Sequence, residues 1–222
     1  MHYKGAIFDL DGTLVDSLAD LADSANEMLR SYGFPEHELA AYRYMVGNGA
    51  RKLIERCLPQ NEGADEKFVT AALARYNECY AGRLLNKTKP YAGIVEMLVE
   101  LKARGVKLGV CTNKQQFAAE AITQKLFPVG TFAACEGDKQ GQPRKPDPTR
   151  ALKMAQDFQA EPAQVAFVGD TAVDMETARR AGFLPVGVTW GFRPPSELTE
   201  SGAQVLLESP AEIWDKVAFA HD

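Results

Sequence analysis

Two aspartates, Asp9 and Asp11, end a short apolar run near the start of the chain. In a strand successive side chains alternate between the two faces, so residues two apart begin on the same side. Two carboxylates at that spacing repel each other unless a cation, a shared proton or open water compensates. The pair therefore predicts a functional site. The plain alternative is a polar strand end followed by the turn at Gly12.

Two further aspartates, Asp170 and Asp174, follow a second apolar run at residues 165–169. Because they lie four residues apart at a predicted helix start, both can face one crevice. The alternative is acids that only favour the helix dipole, which suits Asp174 better than Asp170. If up to four carboxylates meet, their hard oxygen ligands favour Mg²⁺. The predicted cofactor is Mg²⁺, and its predicted ligands are Asp9, Asp11, Asp170 and Asp174.

Groups suited to a phosphate occur at two other places. Thr112 and Asn113 follow the apolar run 106–111, and Lys145 stands in a loop before a predicted helix. A hydroxyl, main-chain N–H groups and an ammonium are natural partners for a phosphoryl group, whose charge is spread over three oxygens. Each signal is weak alone, because a threonine at a strand end is usually a cap and an isolated lysine is usually exposed. Together they predict a phosphate site.

The elements that must position these residues alternate between strand and helix over most of the chain. That order predicts an α/β fold with a doubly wound parallel sheet covered on both faces. In such a sheet ligands bind at the carboxyl ends of the strands, which is where the polar residues stand. The predicted strands are residues 4–10, 106–111, 131–135, 164–169, 185–189 and 204–207.

Residues 17–86 interrupt this order, because they show helical periodicity and no strand-like run. A long helix over residues 65–84 closes the segment. The prediction is a small all-helical domain inserted into the α/β core. The predicted boundaries are residues 1–15 and 88–222 for the core and residues 16–87 for the helical domain.

Composition excludes several classes of protein. The chain has 222 residues, 45% hydrophobic and 25% charged, which suits a soluble globular protein able to bury a core. Its net charge of −5, without a basic stripe, argues against nucleic acid or an anionic membrane as the main partner. No apolar run approaches the roughly 20 residues of a membrane helix. The expected location is the cytoplasm, and the expected state is a monomer or homodimer.

Histidine and cysteine chemistry has little support. The three histidines, His2, His37 and His221, lie at the chain ends and in a polar turn, so a histidine triad is not expected. The cysteines form no Cys-x-x-Cys pair, which argues against zinc ribbons and redox motifs. We expect them to be reduced core residues.

Four motifs, in order and spanning nearly the whole chain, resemble those of the haloacid dehalogenase superfamily. They are Phe-Asp-Leu-Asp-Gly-Thr-Leu-Val-Asp-Ser at 8–17, Cys-Thr-Asn-Lys at 111–114, Lys-Pro-Asp-Pro at 145–148 and Val-Gly-Asp-Thr-Ala-Val-Asp-Met at 168–175. The helical insert resembles the small cap domain of many members. Val-Gly-Asn-Gly-Ala-Arg-Lys-Leu at 46–53 and Gly-Val-Thr-Trp-Gly-Phe at 187–192 look more narrowly like phosphoglycolate phosphatases.

The resemblance implies a Mg²⁺-dependent phosphatase for a small phosphate ester, most closely 2-phosphoglycolate. It implies that Asp9 is the nucleophile that forms an aspartyl phosphate, and that Asp11 is the acid and then the base. The implied metal ligands are Asp9, the main-chain carbonyl of Asp11, and Asp170, with Asp174 in support. The phosphoryl oxygens are expected at Thr112, Asn113 and Lys145.

The insert is expected to determine substrate specificity through Gly47, Asn48, Gly49 and Arg51. Arg51 could bind a substrate carboxylate bidentately, but a surface arginine beside a turn is equally consistent. Other enzyme readings are a sugar-phosphate mutase and a hydrolase of pyrophosphate, a nucleotide or a phosphosugar. A catalytically silent binding protein on the same fold is a further alternative.

Overall fold

The computed structural model describes residues 2–219, so His221 lies outside the described residues. Its strands are β1 (Gly5–Phe8), β2 (Val15–Asp16), β3 (Lys89–Pro90), β4 (Lys107–Gln115), β5 (Ala134–Asp138), β6 (Val165–Gly169), β7 (Leu184–Val188) and β8 (Val205–Leu207). Its helices are α1 (Leu18–Ser31), α2 (Leu39–Met45), α3 (Ala50–Cys57), α4 (Gln60–Ala64), α5 (Glu66–Ala81), α6 (Ile94–Ala103), α7 (Gln116–Leu126), α8 (Thr149–Asp157), α9 (Ala172–Ala181), α10 (Pro195–Glu200) and α11 (Ile213–Lys216). None of the helices in these residues is long and apolar enough to cross a membrane.

A six-stranded sheet in the order β5-β4-β1-β6-β7-β8 forms the centre of the molecule. All its neighbouring strands are parallel. In the register Phe8 lies beside both Val110 and Val168, so β1, β4 and β6 run in step toward one edge. The strand order reverses at β1, which is the place where ligands bind in open α/β sheets. The predicted doubly wound fold is confirmed.

Helices cover both faces of this sheet because the central strands are apolar on both sides. In β1, Phe8 joins a buried cluster with Leu101 of α6, whereas Ile7 joins another with Met154 of α8. Adjacent residues of one strand thus supply two separate cores, as alternation requires. Burial on both faces explains why these strands are continuous apolar runs.

The strand predicted at residues 131–135 is displaced. β5 begins only at Ala134 and continues to Asp138. Thr131 instead closes a turn, because its main-chain N–H and its hydroxyl both donate to the carbonyl of Pro128. β4 is longer than predicted, so Thr112 and Asn113 lie within it rather than after it.

We call helices α1 to α5 the helical insert. Helices α1, α2, α3 and α5 share a buried cluster that includes Leu29, Ile54 and Tyr76 and extends to Ala118 and Phe192 of the core. The two connections to the insert meet in an antiparallel ribbon, in which Val15 pairs with Pro90 and Asp16 pairs with Lys89. The sequence did not predict this ribbon, because two-residue strands carry no alternation.

A buried carboxylate, Asp20, fastens the start of the insert to its end. Its oxygens accept the main-chain N–H groups of Lys87 and Thr88 and the Thr88 hydroxyl, at 2.7 to 3.1 Å. Asp20→Ala should lower the free energy of unfolding by about 2–4 kcal/mol, because it leaves buried donors without an acceptor. Urea denaturation measures this loss.

A matched control lies one turn away on the same helix. Asp23 is 43% exposed and pairs with the Lys87 ammonium, so Asp23→Ala should cost less than about 1 kcal/mol. Equal losses in the two variants would contradict the role given to Asp20.

Candidate active site

Three buried carboxylates, those of Asp9, Asp170 and Asp174, meet where β1 and β6 end. Each offers an oxygen, and these oxygens all lie within 4.8 Å of one another. Asp9 and Asp170 directly follow the registered ends of their strands. Asp174 lies in the first turn of α9, where one of its oxygens accepts the N–H and hydroxyl of Thr171 at 3.0 and 2.8 Å. This capping contact fixes the Asp174 side chain in the crevice.

The second carboxylate of the cluster, Asp170, accepts hydrogen bonds from two neighbouring chain segments. One oxygen accepts the Thr13 hydroxyl at 3.2 Å and the other accepts the main-chain N–H of Phe192 at 2.8 Å. Gly12, at φ +83°, passes so close that any Cβ there would collide with this carboxylate. Glycine is therefore required at position 12 both by its backbone angle and by the approach.

The ammonium of Lys145 lies within the same cluster. It is 2.7 Å from Asp174 and 3.0 Å from Asp9, and its side chain is 1% exposed. Burial lowers the pKa of Lys145, but the charges of Asp174 and Asp9 together outweigh burial and raise it. The lysine is thus a fixed cation beside Asp9.

One carboxylate oxygen of Asp9 contacts two neighbouring groups, and the other has no hydrogen-bond partner among the described residues. Oδ1 accepts the N–H of Leu10 at 2.7 Å and contacts Lys145, whereas Oδ2 has no hydrogen-bond partner among residues 2–219. This leaves Oδ2 available for a metal or a substrate.

Asp11 does not join the acidic cluster, so three carboxylates meet rather than the expected four. Its side chain accepts the Ser17 hydroxyl at 2.6 Å and the Lys114 ammonium at 2.9 Å on each oxygen. Side-chain alternation holds only within a strand, and β1 ends at Phe8. If Asp11 binds a metal, the ligand atom would be its main-chain carbonyl oxygen.

Thr112 and Asn113 are fixed by buried contacts. The Asn113 side chain accepts the N–H of Lys145 at 2.9 Å and donates to its carbonyl at 3.1 Å. Arg150, also buried, donates to the carbonyl of Thr112 at 3.0 Å. The Asn113 amide therefore positions Lys145, and its predicted phosphate contact would have to come from the main chain.

A pocket opens between the sheet edge and the helical insert. Asp9, Asp11 and Thr112 line it from the core, and Gly47 and Gly49 line it from the insert. The insert is tied down over the pocket by donors to main-chain carbonyls. These are Arg43 to Gly191 and Phe192, Arg193 to Val46, and Asn113 to Gly47.

Two residues predicted to read the substrate lie elsewhere. Arg51 pairs with Glu55 at 3.2 Å and with Glu66, and Asn48 accepts a bond from Arg56 at 2.8 Å. Neither belongs to the residues that line the pocket. The arrangement thus brings Gly47 and Gly49 to the site but not Asn48 or Arg51.

Comparison with known proteins shows the family of the chain. A sequence model of haloacid dehalogenase-like hydrolases matches residues 6–188. The chain belongs to the haloacid dehalogenase-like hydrolase family. The matched range covers Asp9, Thr112, Lys145 and Asp174, which stand on four separate segments of the chain.

Several similar proteins are named as phosphoglycolate phosphatases. The phosphoglycolate phosphatase of Rhodospirillum rubrum is 35% identical, over 97% of this chain and 91% of that protein. Phosphoglycolate phosphatase 1 of Pseudomonas aeruginosa is 33% identical, over 93% and 77%. The crystal structure of a predicted phosphoglycolate phosphatase from Haemophilus somnus is 29% identical, with a TM-score of 0.88 over 97% of this chain and 98% of that one.

The acidic cluster of this hydrolase fits a divalent cation. Burial, followed by the charges of Asp174 and Asp9, raises the pKa of Asp170 well above its usual range. Burial also raises the pKa of Asp174, although the Lys145 ammonium offsets part of the rise. Three hard carboxylates with one lysine leave uncompensated negative charge, which a divalent metal would neutralise.

Mg²⁺ should therefore stabilise the protein more as the pH rises. Metal-free folded protein keeps protons on Asp170 and Asp174 at pH values where the unfolded chain has lost them. Its stability consequently falls as the pH rises above the usual carboxyl pKa. Because a divalent cation would bind these carboxylates in their deprotonated form, the Tm gain that Mg²⁺ causes should be larger at about pH 8 than at about pH 5.

Thermal unfolding with Mg²⁺ and with a chelator measures this gain. Asp170→Asn should remove most of it at both pH values. A gain that is independent of pH, or that survives in Asp170→Asn, would place the metal elsewhere.

Sequence reasoning missed several side chains of the site. Lys114 stands within the quoted motif at residues 111–114, so a signal was present. No sequence signal marked Arg150, Tyr76 or Tyr80 as site residues. Each lies on a helix, and helical periodicity predicts only that a residue is buried.

Proposed function

We propose that the protein is a Mg²⁺-dependent phosphatase that hydrolyses 2-phosphoglycolate through a phosphorylated Asp9. Its family and its relatives make the chain a phosphoric monoester hydrolase. The observation that carries the mechanism is the state of Asp9, whose Oδ1 is fixed by Leu10 and Lys145 while Oδ2 is unpartnered among the described residues. The name that these relatives carry supports the substrate.

In the first step an Asp9 oxygen attacks phosphorus and the bond to the ester oxygen breaks. Asp11 gives its proton to the departing oxygen, which leaves as an alcohol. Asp11 lines the same pocket as Asp9 yet lies outside the acidic cluster, so the two carboxylates sit in different surroundings. That difference suits one carboxylate to attack and the other to carry a proton.

In the second step a water molecule attacks phosphorus and the bond to Asp9 breaks. Asp11 takes the proton from this water, and inorganic phosphate leaves. Thr112 and Lys145 would hold the phosphoryl oxygens, because both are fixed by buried contacts beside Asp9. Fixed donors stabilise developing charge without reorganising during the reaction.

Asp9, Asp170 and the main-chain carbonyl of Asp11 would hold Mg²⁺, with Asp174 in support. Bound there, the ion would neutralise charge on the phosphoryl group and the attacking carboxylate.

We assign residues 16–87 to a cap and the remainder to the catalytic core. Most residues of one buried cluster belong to the insert, and the two connections of the insert meet in the β2–β3 ribbon. Contacts such as Arg43 to Gly191 close it over the pocket. A cap of this kind excludes water from the reaction and limits the size of the substrate.

A panel of phosphate esters with Mg²⁺ tests this function. The panel contains 2-phosphoglycolate, an aryl phosphate, hexose phosphates, a nucleotide and pyrophosphate. We expect metal-dependent phosphate release, with the highest kcat/KM for 2-phosphoglycolate. A higher value for a hexose phosphate, or conversion to its isomer without phosphate release, would favour the phosphosugar phosphatase or mutase reading instead.

A further inference from the structure

We propose that Lys114 selects the substrate by binding a carboxylate carried one carbon away from the ester oxygen. The inference rests on the proposed function and adds the chemical class that the pocket accepts, the phosphate esters of short 2-hydroxy acids. In this reading Lys114 is a specificity residue, not a member of the phosphoryl-transfer machinery.

The last residues of β4 bring Lys114 into the pocket. The register of β4 with β5 shifts between Cys111 and Gln115, and within this irregular stretch Thr112 and Lys114 both line the pocket. The main-chain N–H of Lys114 donates to the Thr112 hydroxyl at 3.2 Å. Thr112 is expected at the phosphoryl group, so Lys114 stands next along the strand, where the rest of the substrate would lie.

The Lys114 ammonium is held in a defined place. It lies 2.9 Å from each oxygen of Asp11 and 4.7 Å from the centre of the Tyr80 ring. Its side chain is only 4% exposed. An ammonium with three donors that shares Asp11 and an aromatic face keeps capacity for a further anionic partner.

The position of Asp11 limits how far from the ester oxygen a substrate carboxylate can lie and still contact Lys114. Asp11 is proposed to protonate the ester oxygen, so that oxygen must come within hydrogen-bond reach of its carboxylate. Lys114 contacts the same carboxylate. A second carboxylate attached through one carbon to the ester oxygen therefore falls beside the ammonium, whereas one placed further along a chain would pass it.

A substrate carboxylate in this pocket needs a cation beside it. The pocket lining contains the carboxylates of Asp9 and Asp11, and among the described residues Lys114 is its single cationic side chain. A substrate carboxylate in this lining would otherwise be desolvated beside like charges, which is costly. Within this lining, Lys114 supplies the compensating charge.

The remaining walls favour a short substrate. Their apolar part is built from Leu21, Val46, Leu53 and Phe192 with the rings of Tyr76 and Tyr80, and Asn113, Gln115 and Thr171 complete the lining. The apolar part gives few partners to the hydroxyls of a sugar, and unpaired hydroxyls disfavour binding. The Tyr80 hydroxyl is buried and has no hydrogen-bond partner among residues 2–219.

The test compares two substrates that differ by the carboxylate. For each protein we take the ratio of kcat/KM for 2-phosphoglycolate to that for ethyl phosphate. Because both reactions use Asp11, any effect of Lys114 on Asp11 cancels in this ratio. Lys114→Met and Lys114→Gln should each lower it about tenfold to a hundredfold, as expected for a lost charged hydrogen bond. Lys114→Arg should restore part of it.

Lys153→Met is the matched control, because this lysine is 67% exposed and pairs with Asp157. It should leave the ratio unchanged. If either Lys114→Met or Lys114→Gln folds, as judged by thermal unfolding, and keeps the wild-type ratio, the proposal is overturned.

Failure of the proposed function gives a different result. In that case the wild-type protein itself shows no preference for 2-phosphoglycolate over ethyl phosphate, which overturns the assigned substrate and with it the role of Lys114. A wild-type preference that persists in the Lys114 variants overturns the role of Lys114 alone.

Discussion

Asp9→Asn should reduce phosphate release by about a thousandfold or more for every substrate. An amide oxygen is a far weaker nucleophile than a carboxylate, and the change also removes one charged ligand from the acidic cluster. The measurement is metal-dependent phosphate release from an aryl phosphate and from 2-phosphoglycolate. Equal activity in the variant and the wild type would exclude Asp9 as the nucleophile.

The fold should survive this substitution, which separates chemistry from stability. The amide oxygen of the variant can still accept the Leu10 N–H and the Lys145 ammonium that Asp9 Oδ1 accepts now. Asp174 still pairs with the Lys145 ammonium at 2.7 Å in the variant, and the cluster holds one carboxylate fewer. We expect an unchanged or higher Tm without metal. Asp157→Asn, at an exposed residue paired with Lys153, is the control and should retain full activity.

Lys145→Met should have the second largest effect, and it should act on stability as well as on activity. The side chain is 1% exposed and compensates both Asp9 and Asp174. Removing one member of a buried ion pair leaves uncompensated charge, which costs about 3–5 kcal/mol. Phosphate release should fall about a hundredfold or more, because a fixed donor to the phosphoryl group is lost.

Two conditions should reduce the stability loss in Lys145→Met. Lower pH protonates the carboxylates that the lysine leaves behind, and Mg²⁺ supplies a replacement charge. Urea denaturation of metal-free protein, repeated at lower pH and with Mg²⁺, measures both effects. A loss that is the same under all three conditions would mean that packing, not charge, accounts for it. Lys153→Met again serves as the exposed control.

The acidic cluster and the pocket are two adjoining regions of the candidate active site. Lys145, Asp170 and Asp174 surround Asp9 on the side of the sheet, whereas Asp11 and Lys114 face the pocket under the insert. The segment at Gly191 and Phe192 connects the two regions. It accepts bonds from Arg43 of the insert, and it donates its Phe192 N–H to Asp170.

The sequence alone determined the fold class and the edge of the sheet at which the site forms. Apolar runs ending in polar residues predict buried parallel strands, and the carboxyl ends of such strands converge whatever the side-chain details. Asp9, Thr112, Lys145 and Asp170 were therefore predictable as neighbours. The same local signals placed the helical insert, because helical periodicity extends over many residues and survives small errors.

Only the tertiary structure decided which side chains pair. Asp11 was expected beside Asp9 at the metal, yet it pairs with Lys114, which is 103 residues away in the sequence. Arg51 was expected near the substrate, yet Glu55 and Glu66 hold it elsewhere. Strand alternation stops at Phe8, and beyond it side-chain direction depends on contacts between distant segments. Local patterns carry no record of those contacts, so the pairing of Asp11 with Lys114 emerged only when the chain was folded.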